Sequence, residues 1–186
     1  MIDLRSDTVT KPSAGMLDFM MNTGVGDMVF GEDPAVNELE AMAADMFGME
    51  AALYCPSGTM TNQIAINVHT RPGDEVICSH MAHIYLFEGG GVAFNSGASV
   101  ALIQSENGTF SAEDVRQHIN NPDDPHKAYT RLVEIENTVN RGAGACWDFN
   151  EMVRIRELCD QRRLGYHLDG ARLFNAMVAD GRKPGE

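Results

Sequence analysis

The segment HLDGARLFNA, residues 167–176, places a carboxylate and a guanidinium three residues apart. It follows an amphipathic helical pattern and a glycine, which predicts a short strand that ends at Asp169. A carboxylate there either caps the next helix or pairs with the protonated nitrogen of an aromatic ring, which then withdraws electrons from a carbanion. The planar donors of Arg172 suit a phenolic oxygen or a phosphate. The segment therefore predicts a helix cap or a cofactor contact.

The segment CPSGTMTN, residues 55–62, has the pattern of a strand end, a tight turn and the start of a helix. Gly58 lets the backbone approach an anion closely, and the helix start at Thr59 attracts a phosphate, to which Ser57 can add a hydrogen bond. An ordinary capped helix is the alternative and the simpler explanation of this segment alone. The segment lacks GKS or GKT, and no GxGxxG follows a strand, so we predict neither a P-loop nor a dinucleotide site.

A third segment, CSHMAHIYLFEGGG at residues 78–91, contains three side chains that can bind zinc. The spacing of Cys78, His80 and His83 is irregular, and we predict no metal site. His83 follows a predicted strand, where its ring can instead lie flat on another aromatic ring. Glu88 precedes three glycines and is either a solvated loop carboxylate or a placed hydrogen-bond partner. Both alternatives stay open for Glu88.

The overall composition excludes several classes of partner. Lysine and arginine number 14 against 27 acidic residues, for a net charge of -13. A nucleic-acid groove needs clustered cations, so we predict no nucleic-acid partner. No segment approaches membrane-spanning length, and the N-terminal MIDLRSDTVT lacks the apolar core of a signal peptide, so we expect no membrane association. The four cysteines show no CxxC spacing, which predicts reduced thiols and a cytoplasmic location.

Strand-like and helix-like patterns alternate along the chain. The strand-like segments are 51–55, 75–79, 99–104 and 131–137, and the helix-like segments are 34–47, 59–70, 111–120 and 148–163. We expect Asp33 to cap the first of these helices and Gly48 to end it. The alternation predicts an α/β fold, a mostly parallel sheet with helices on both faces, whose strand ends share one edge. With no linker evident, we expect a single domain over residues 1–186.

Six ordered segments carry a family resemblance: MIDLRSDTVTKPS, VFGEDPAVNELE, PSGTMTN, AHIYLFEGGG, EIENTVN and HLDGARLFNA. Together they resemble the N-terminal half of the low-specificity L-threonine aldolases, fold-type I pyridoxal-phosphate enzymes near the beta-eliminating lyases. The resemblance implies the truncated large domain of a transferase-like fold and pyridoxal 5'-phosphate as cofactor. It implies cleavage of L-threonine or L-allo-threonine to glycine and acetaldehyde, a part in amino-acid metabolism through glycine biosynthesis, and a homo-oligomer, either a dimer or a tetramer.

The resemblance also implies roles for individual residues. It implies cofactor binding by Ser57, Gly58, Thr59, His83, Asp169 and Arg172. His83 would stack on the ring, Asp169 would pair with the ring nitrogen, and the residues around Gly58 would hold the phosphate. His83 and His126 are the candidates for handling the substrate hydroxyl, with the division of labour open. Ser6 and Glu88 are expected to support substrate binding.

The chain departs from the family pattern at several positions. Phe30 stands where such enzymes often carry a tyrosine, and Val139 stands where they usually carry a histidine. The family's Schiff-base lysine is expected beyond residue 186, together with the C-terminal domain. The lysines of this chain are Lys11, Lys127 and Lys183, and none has the family's sequence context.

Two other functions remain open at this point. The same scaffold supports lyases that eliminate a beta substituent, and product analysis with threonine and serine analogues separates these from an aldolase. The missing lysine favours a non-catalytic fragment that binds pyridoxal phosphate or phosphate, whereas Asp169 and Arg172 favour a catalytic parent. We therefore expect aldolase activity from a longer chain and none from residues 1–186 alone.

Overall fold

The computed structural model describes residues 2–186, which fall into two compact units. Among the described residues, one unit comprises 2–54 with 184–186, and the other comprises 55–183. The single domain expected from the sequence stays a prediction.

The first unit is helical. It contains α1 (Ala14–Asn22) and α2 (Pro34–Phe47), with short 3-10 turns at Asp7–Val9 and Met28–Phe30. The carboxylate of Asp33 accepts hydrogen bonds from the N–H groups of Ala35 and Val36, and Gly48 ends α2 with a φ of 63°. A positive φ is the conformation that glycine adopts without a steric penalty. The predicted bounds and both predicted ends of this helix are confirmed.

The second unit is built on a four-stranded parallel sheet. Its strands are β1 (Asp74–Ser79), β2 (Ser99–Ile103), β3 (Tyr129–Glu136) and β4 (Gly165–Asp169), in the order β2-β1-β3-β4. The helices of this unit are α3 (Gly58–His69), α4 (His83–Leu86), α5 (Gly91–Ser96), α6 (Ala112–His118), α7 (Phe149–Arg162) and α8 (Leu173–Asp180). Parallel strands need crossover connections, and at least one helix lies between each pair of consecutive strands.

Helices cover both faces of this sheet, as predicted. On one face, Ile77, Val133 and Ile135 form a core with α6 and α7. On the other face, Val76 and Leu132 pack with Ile66 of α3 and with residues of α4 and α5. The alternation of side chains along each strand sends successive residues to opposite cores. The α/β prediction is confirmed.

The strand predicted at residues 51–55 is wrong. This segment has no strand pairing in the described part of the chain, and Leu53 is 67 % exposed. Its one long-range hydrogen bond joins the N–H of Tyr54 to a carboxylate oxygen of Glu40 in the same unit. A short apolar run does not by itself distinguish a buried strand from an extended surface segment, because burial depends on a partner strand.

Candidate active site

Asp169 lies at the carboxyl end of β4, in register with Glu136 at the end of β3. Its backbone carbonyl accepts a hydrogen bond from the N–H of Asn137 at 3.0 Å, and its Oδ1 accepts one from the N–H of Ala171 at 3.1 Å. The residue before α8 is Arg172, so Asp169 closes a short turn and does not cap that helix. The buried carboxylate is thus fixed at the carboxyl edge of the sheet.

Asn62 of α3 links this carboxylate to a second one. Its Nδ2 donates hydrogen bonds to Oδ2 of Asp169 at 2.8 Å and to Oε1 of Glu88 at 2.9 Å. The neighbouring Gln63 donates to Oε2 of Glu88 at 2.6 Å. Glu88 is buried, so it is a placed hydrogen-bond partner and not a solvated loop residue. Sequence reasoning missed Asn62 and Gln63, which are two of several polar residues in α3 and carry no local signal of their burial.

His167, on the same strand β4 as Asp169, also contacts Asn62. Its Nε2 lies 2.9 Å from Oδ1 of Asn62. The amide nitrogen of Asn62 donates to two carboxylates, so its Oδ1 accepts the hydrogen bond from His167. The proton of His167 is therefore on Nε2. Burial lowers the pKa of His167, which favours this neutral form. Both polar atoms of the Asn62 side chain are thus hydrogen-bonded.

His83, at the start of α4, joins Asn62, Glu88 and Asp169 in a hydrogen-bonded group that we call the Asp169 cluster. Its Nδ1 lies 2.9 Å from Oε1 of Glu88, and its backbone N–H donates to Oε2 of Glu136 at 2.9 Å. The side chain is 34 % exposed, and its ring is tilted by 40° against Phe87, with centroids 5.5 Å apart. A carboxylate accepts hydrogen bonds, so this contact places the proton on Nδ1 and leaves Nε2 as an acceptor.

Two glutamates of β3, Glu134 and Glu136, lie next to this cluster. Glu136 accepts from the N–H of Asn140 at 2.8 Å as well as from His83, and burial is the main cause of its raised pKa. Glu134 is fully buried, and neither of its carboxyl oxygens has a hydrogen-bond partner. Its pKa is raised well above the ordinary value, first by burial and then by Asp169, Glu136 and Glu88. Sequence reasoning gave neither glutamate a role.

The segment around Gly58 forms the exposed start of α3. The Oγ of Ser57 accepts a hydrogen bond from the N–H of Met60 at 3.1 Å, so Ser57 caps the helix. A Cβ on Gly58 would meet no atom within 4 Å, which leaves open space beside the first amides of the helix. Asn62 follows Gly58 by about one helical turn, or roughly 6 Å along the axis. An anion at this helix start would thus lie on the side of the Asp169 cluster.

The other predicted cofactor and substrate residues lie in turns. Arg172 immediately precedes α8, and its backbone carbonyl accepts the N–H of Asn175 at 3.0 Å. Ser6 belongs to the first unit, where its Oγ caps a 3-10 turn by accepting the N–H of Thr8 at 3.2 Å. Their predicted roles stay predictions.

The structure does not bring His126 to the cluster within one chain. His126 is exposed, and its N–H donates to a carboxylate oxygen of Asp124 at 3.0 Å. It precedes the first residue of β3, whereas Asp169 lies beside the last. An eight-residue strand is roughly 23 Å long at about 3.3 Å per residue. His126 and His83 therefore lie at opposite edges of the sheet.

The two departures from the family pattern have different surroundings. Phe30 is exposed in the first unit, at the end of a 3-10 turn. Val139 is buried in the second unit, and its N–H donates to the carbonyl of Ala145 at 2.9 Å. An apolar side chain in that core makes none of the polar contacts that a histidine would make.

The zinc alternative weighed for Cys78, His80 and His83 has no geometric support. Within residues 2–186, the one set of three or more candidate donor atoms that converge comes from His83, Glu88 and Asp169, within 4.8 Å of one another. The amide of Asn62 donates to both carboxylates of that set. Hydrogen bonding therefore accounts for its convergence.

The fold and the site define an α/β protein with buried carboxylates at the carboxyl edge of a parallel sheet and a helix start beside them. This chain belongs to the beta-eliminating lyase family, whose model matches residues 3–186. No helix in the described residues is both long enough and apolar enough to cross a membrane.

Individual proteins to which the chain is similar are threonine aldolases. The chain is 44 % identical over 182 residues to the low specificity L-threonine aldolase of Escherichia coli K12, covering 97 % of this chain and 54 % of that protein. It is 41 % identical to the low specificity L-threonine aldolase of Saccharomyces cerevisiae, covering 96 % and 46 %. The structure of Leishmania major threonine aldolase matches with a TM-score of 0.75 and 26 % identity, over 87 % of this chain and 46 % of that one. The chain thus spans about half the length of these relatives.

Proposed function

We propose that this chain forms the cofactor-binding part of a pyridoxal-phosphate-dependent aldolase that cleaves L-threonine or L-allo-threonine to glycine and acetaldehyde. The observation that carries the proposal is the buried Asp169 carboxylate, which Asn62 ties to the helix that starts at Gly58. When bound, the cofactor supplies a ring that accepts electrons from the bond being broken, provided that the ring nitrogen stays protonated.

Asp169 supplies the charge that keeps such a nitrogen protonated. Two hydrogen bonds to its carboxylate, from Asn62 and from the N–H of Ala171, fix the direction in which it points. A fixed carboxylate in a site with little water acts more strongly on a nearby cation than the same group in solvent. Asp169 is therefore assigned to the ring nitrogen.

The exposed start of α3 is assigned to the cofactor phosphate. The N–H groups of the first turn and the positive end of the helix dipole attract an anion, and Ser57 and Thr59 offer hydroxyl groups. The space beside Gly58 admits the phosphate close to the backbone. Arg172, three residues after Asp169, is assigned a contact with the cofactor because its donors match a phenolic or phosphate oxygen.

His83 is assigned the proton of the substrate hydroxyl. Its Nδ1 is committed to Glu88, so the free acceptor is Nε2, on a side chain that is partly exposed to solvent. An imidazole whose far nitrogen is held by a carboxylate is oriented to act as a general base through its other nitrogen. His83 is preferred to His126 within one chain because only His83 belongs to the Asp169 cluster.

Cofactor binding is tested by titrating pyridoxal phosphate into the protein and following visible absorbance. Asp169→Asn keeps the shape of the side chain and removes its charge, so we expect affinity to fall by about tenfold or more. Asp148→Asn is the control, since Asp148 caps α7 and is exposed. Equal affinities for wild type and Asp169→Asn would contradict the assignment.

Turnover is tested by acetaldehyde release from L-threonine. We expect negligible turnover from residues 1–186 and restored turnover from a chain extended to the length of the relatives. Borohydride reduction in the presence of cofactor should leave Lys11, Lys127 and Lys183 without a stoichiometric adduct. Robust threonine cleavage by residues 1–186 would show that the catalytic nucleophile lies within this chain.

A lyase that eliminates a beta substituent is the second candidate, and the description of the matching family favours it. Both reactions use the same electron-accepting ring, and they differ in which bond of the substrate is broken. Product analysis separates them, because an aldolase yields glycine with an aldehyde whereas elimination from serine yields pyruvate and ammonia. A chain that releases only ammonia overturns the aldolase proposal.

The assembly and the cellular setting are also proposals. We propose a homo-oligomer, supported by apolar side chains on the surface of the second unit such as Phe94 and Val178, which are 89 % and 84 % exposed. A cytoplasmic role in amino-acid metabolism is consistent with four cysteines that form no disulfide. Light scattering tests the first of these, since a monodisperse monomer of the extended chain would contradict it.

A further inference from the structure

Glu134 is the most unusual side chain of the second unit. It lies in the middle of β3, opposite His167 in the strand register, and none of its surface is exposed. Neither Oε1 nor Oε2 has a hydrogen-bond partner. A buried ionised carboxylate without a donor is among the most unfavourable groups in a protein interior. In the cofactor-free protein, this position therefore favours the neutral form of the group.

The three carboxyl groups around Glu134 are in a different situation. Glu88, Glu136 and Asp169 each accept at least two hydrogen bonds from amide, imidazole or backbone donors. Donors of this kind satisfy the carboxyl oxygens of these three groups. Of the four carboxyl groups that act on one another here, Glu134 alone has no donor, and it is the one expected to keep a proton.

The titratable groups that act on this cluster come from every neighbouring element. Burial raises the pKa of the Cys78 thiol of β1, and Glu134 and Glu136 raise it further. Burial lowers the pKa of His167 of β4; Asp169 and Glu88 act to raise it, and His69 acts to lower it. In the described part of the chain, the charged groups that act on the pKa of Glu134 are Asp169, Glu136 and Glu88, and all three are carboxyl groups. Burial and three adjacent carboxyl groups all favour its protonated form.

We propose that Glu134 is a neutral acid in the cofactor-free protein and that it releases its proton to solvent when Asp169 receives a cationic ring nitrogen. The inference rests on the proposed cofactor site. One positive charge enters the cluster and one proton leaves it, so the net charge of the cluster is unchanged. Glu134 is thus a positioning residue that acts on the cofactor through Asp169.

The first half of the inference is tested without cofactor. The carboxyl carbon signal of Glu134 is assigned in the full-length protein by comparison with Glu134→Gln. At pH 7 it should show the chemical shift of a protonated carboxyl group. Because the folded protein holds a proton that the unfolded chain has lost, the unfolding constant of wild type should rise relative to Glu134→Gln by up to tenfold per pH unit above about pH 5. The proposal is overturned if the unfolding constants of wild type and Glu134→Gln change in parallel with pH. It is also overturned if the carboxyl carbon shows the chemical shift of an ionised group at pH 7.

The second half is tested by proton release on binding. Pyridoxal phosphate is added to weakly buffered protein with a pH indicator, and wild type should release close to one proton more per bound cofactor than Glu134→Gln. Its dissociation constant should also fall more steeply with rising pH, by up to tenfold per unit. Glu75→Gln is the matched control, because Glu75 lies on β1 of the same sheet and bonds to Asn120.

The outcomes separate the two proposals. Cofactor binding with equal proton release by wild type and Glu134→Gln overturns the role of Glu134 and leaves the proposed function standing. Absence of binding by wild type overturns the proposed function, and the coupling with it. If Glu134→Gln fails to fold, the carboxyl shift of wild type, assigned through its covalent connection to the Glu134 backbone, decides between the outcomes, because on cofactor binding it must move from the protonated to the ionised value.

Discussion

Replacing Asn62 with leucine removes the amide that joins Asp169 and Glu88 while keeping a side chain of similar size. Asn62 donates one hydrogen to each carboxylate, at 2.8 and 2.9 Å. Hydrogen bonds to charged groups contribute about 1.5–3 kcal/mol each, so the two amount to roughly 3–6 kcal/mol if they add. Typical domains unfold with about 5–15 kcal/mol. We therefore expect Asn62→Leu to lower the free energy of unfolding by at least about 3 kcal/mol.

Urea unfolding followed by circular dichroism measures this loss as a shift of the midpoint at constant slope. Asn67→Leu is the control in the same helix, because Asn67 donates to the carbonyl of Asn95 at 2.9 Å on an exposed face. A neutral hydrogen bond contributes about 0.5–1.5 kcal/mol, so the control should lose no more than that. Equal losses for the two variants would refute the idea that the carboxylate bridge is a main support of the site.

Three further variants probe other parts of the chain. Asp33→Ala removes the cap of α2 and should cost about 1 kcal/mol, measured as a lower unfolding midpoint, whereas Asp33→Ser should recover most of it. Gly91→Ala places a Cβ 2.6 Å from the side chain of Gln63; we expect a cost of about 1–3 kcal/mol in urea unfolding, and no cost would show that Gln63 moves freely. The pKa of His167 is lowered by burial, so wild type should lose stability as pH falls below about 6.5, the unfolded value, and His167→Gln should lose less across pH 5–7.

Local signals in the sequence determined most of the secondary structure. Asp33 and Gly48 mark the two ends of α2 because capping depends only on residues at the helix end. Strands β1, β2 and β3 fall where apolar runs alternate with helical patterns, and this alternation determines a parallel sheet with helices on both faces. The ordered motifs likewise indicated the family, since each motif is a short local pattern.

The tertiary structure alone decided which polar side chains meet. Asn62 and Asp169 are 107 positions apart, and only the packing of α3 against the sheet brings the amide to the carboxylate. Glu134 carries no local sign of its burial; it is enclosed because α3, α4 and α5 cover that face of β3. His126 lies at the opposite edge from His83 because every strand of the sheet runs in the same direction. Capping and periodicity act over a few residues, whereas burial and charge at the site depend on long-range contacts.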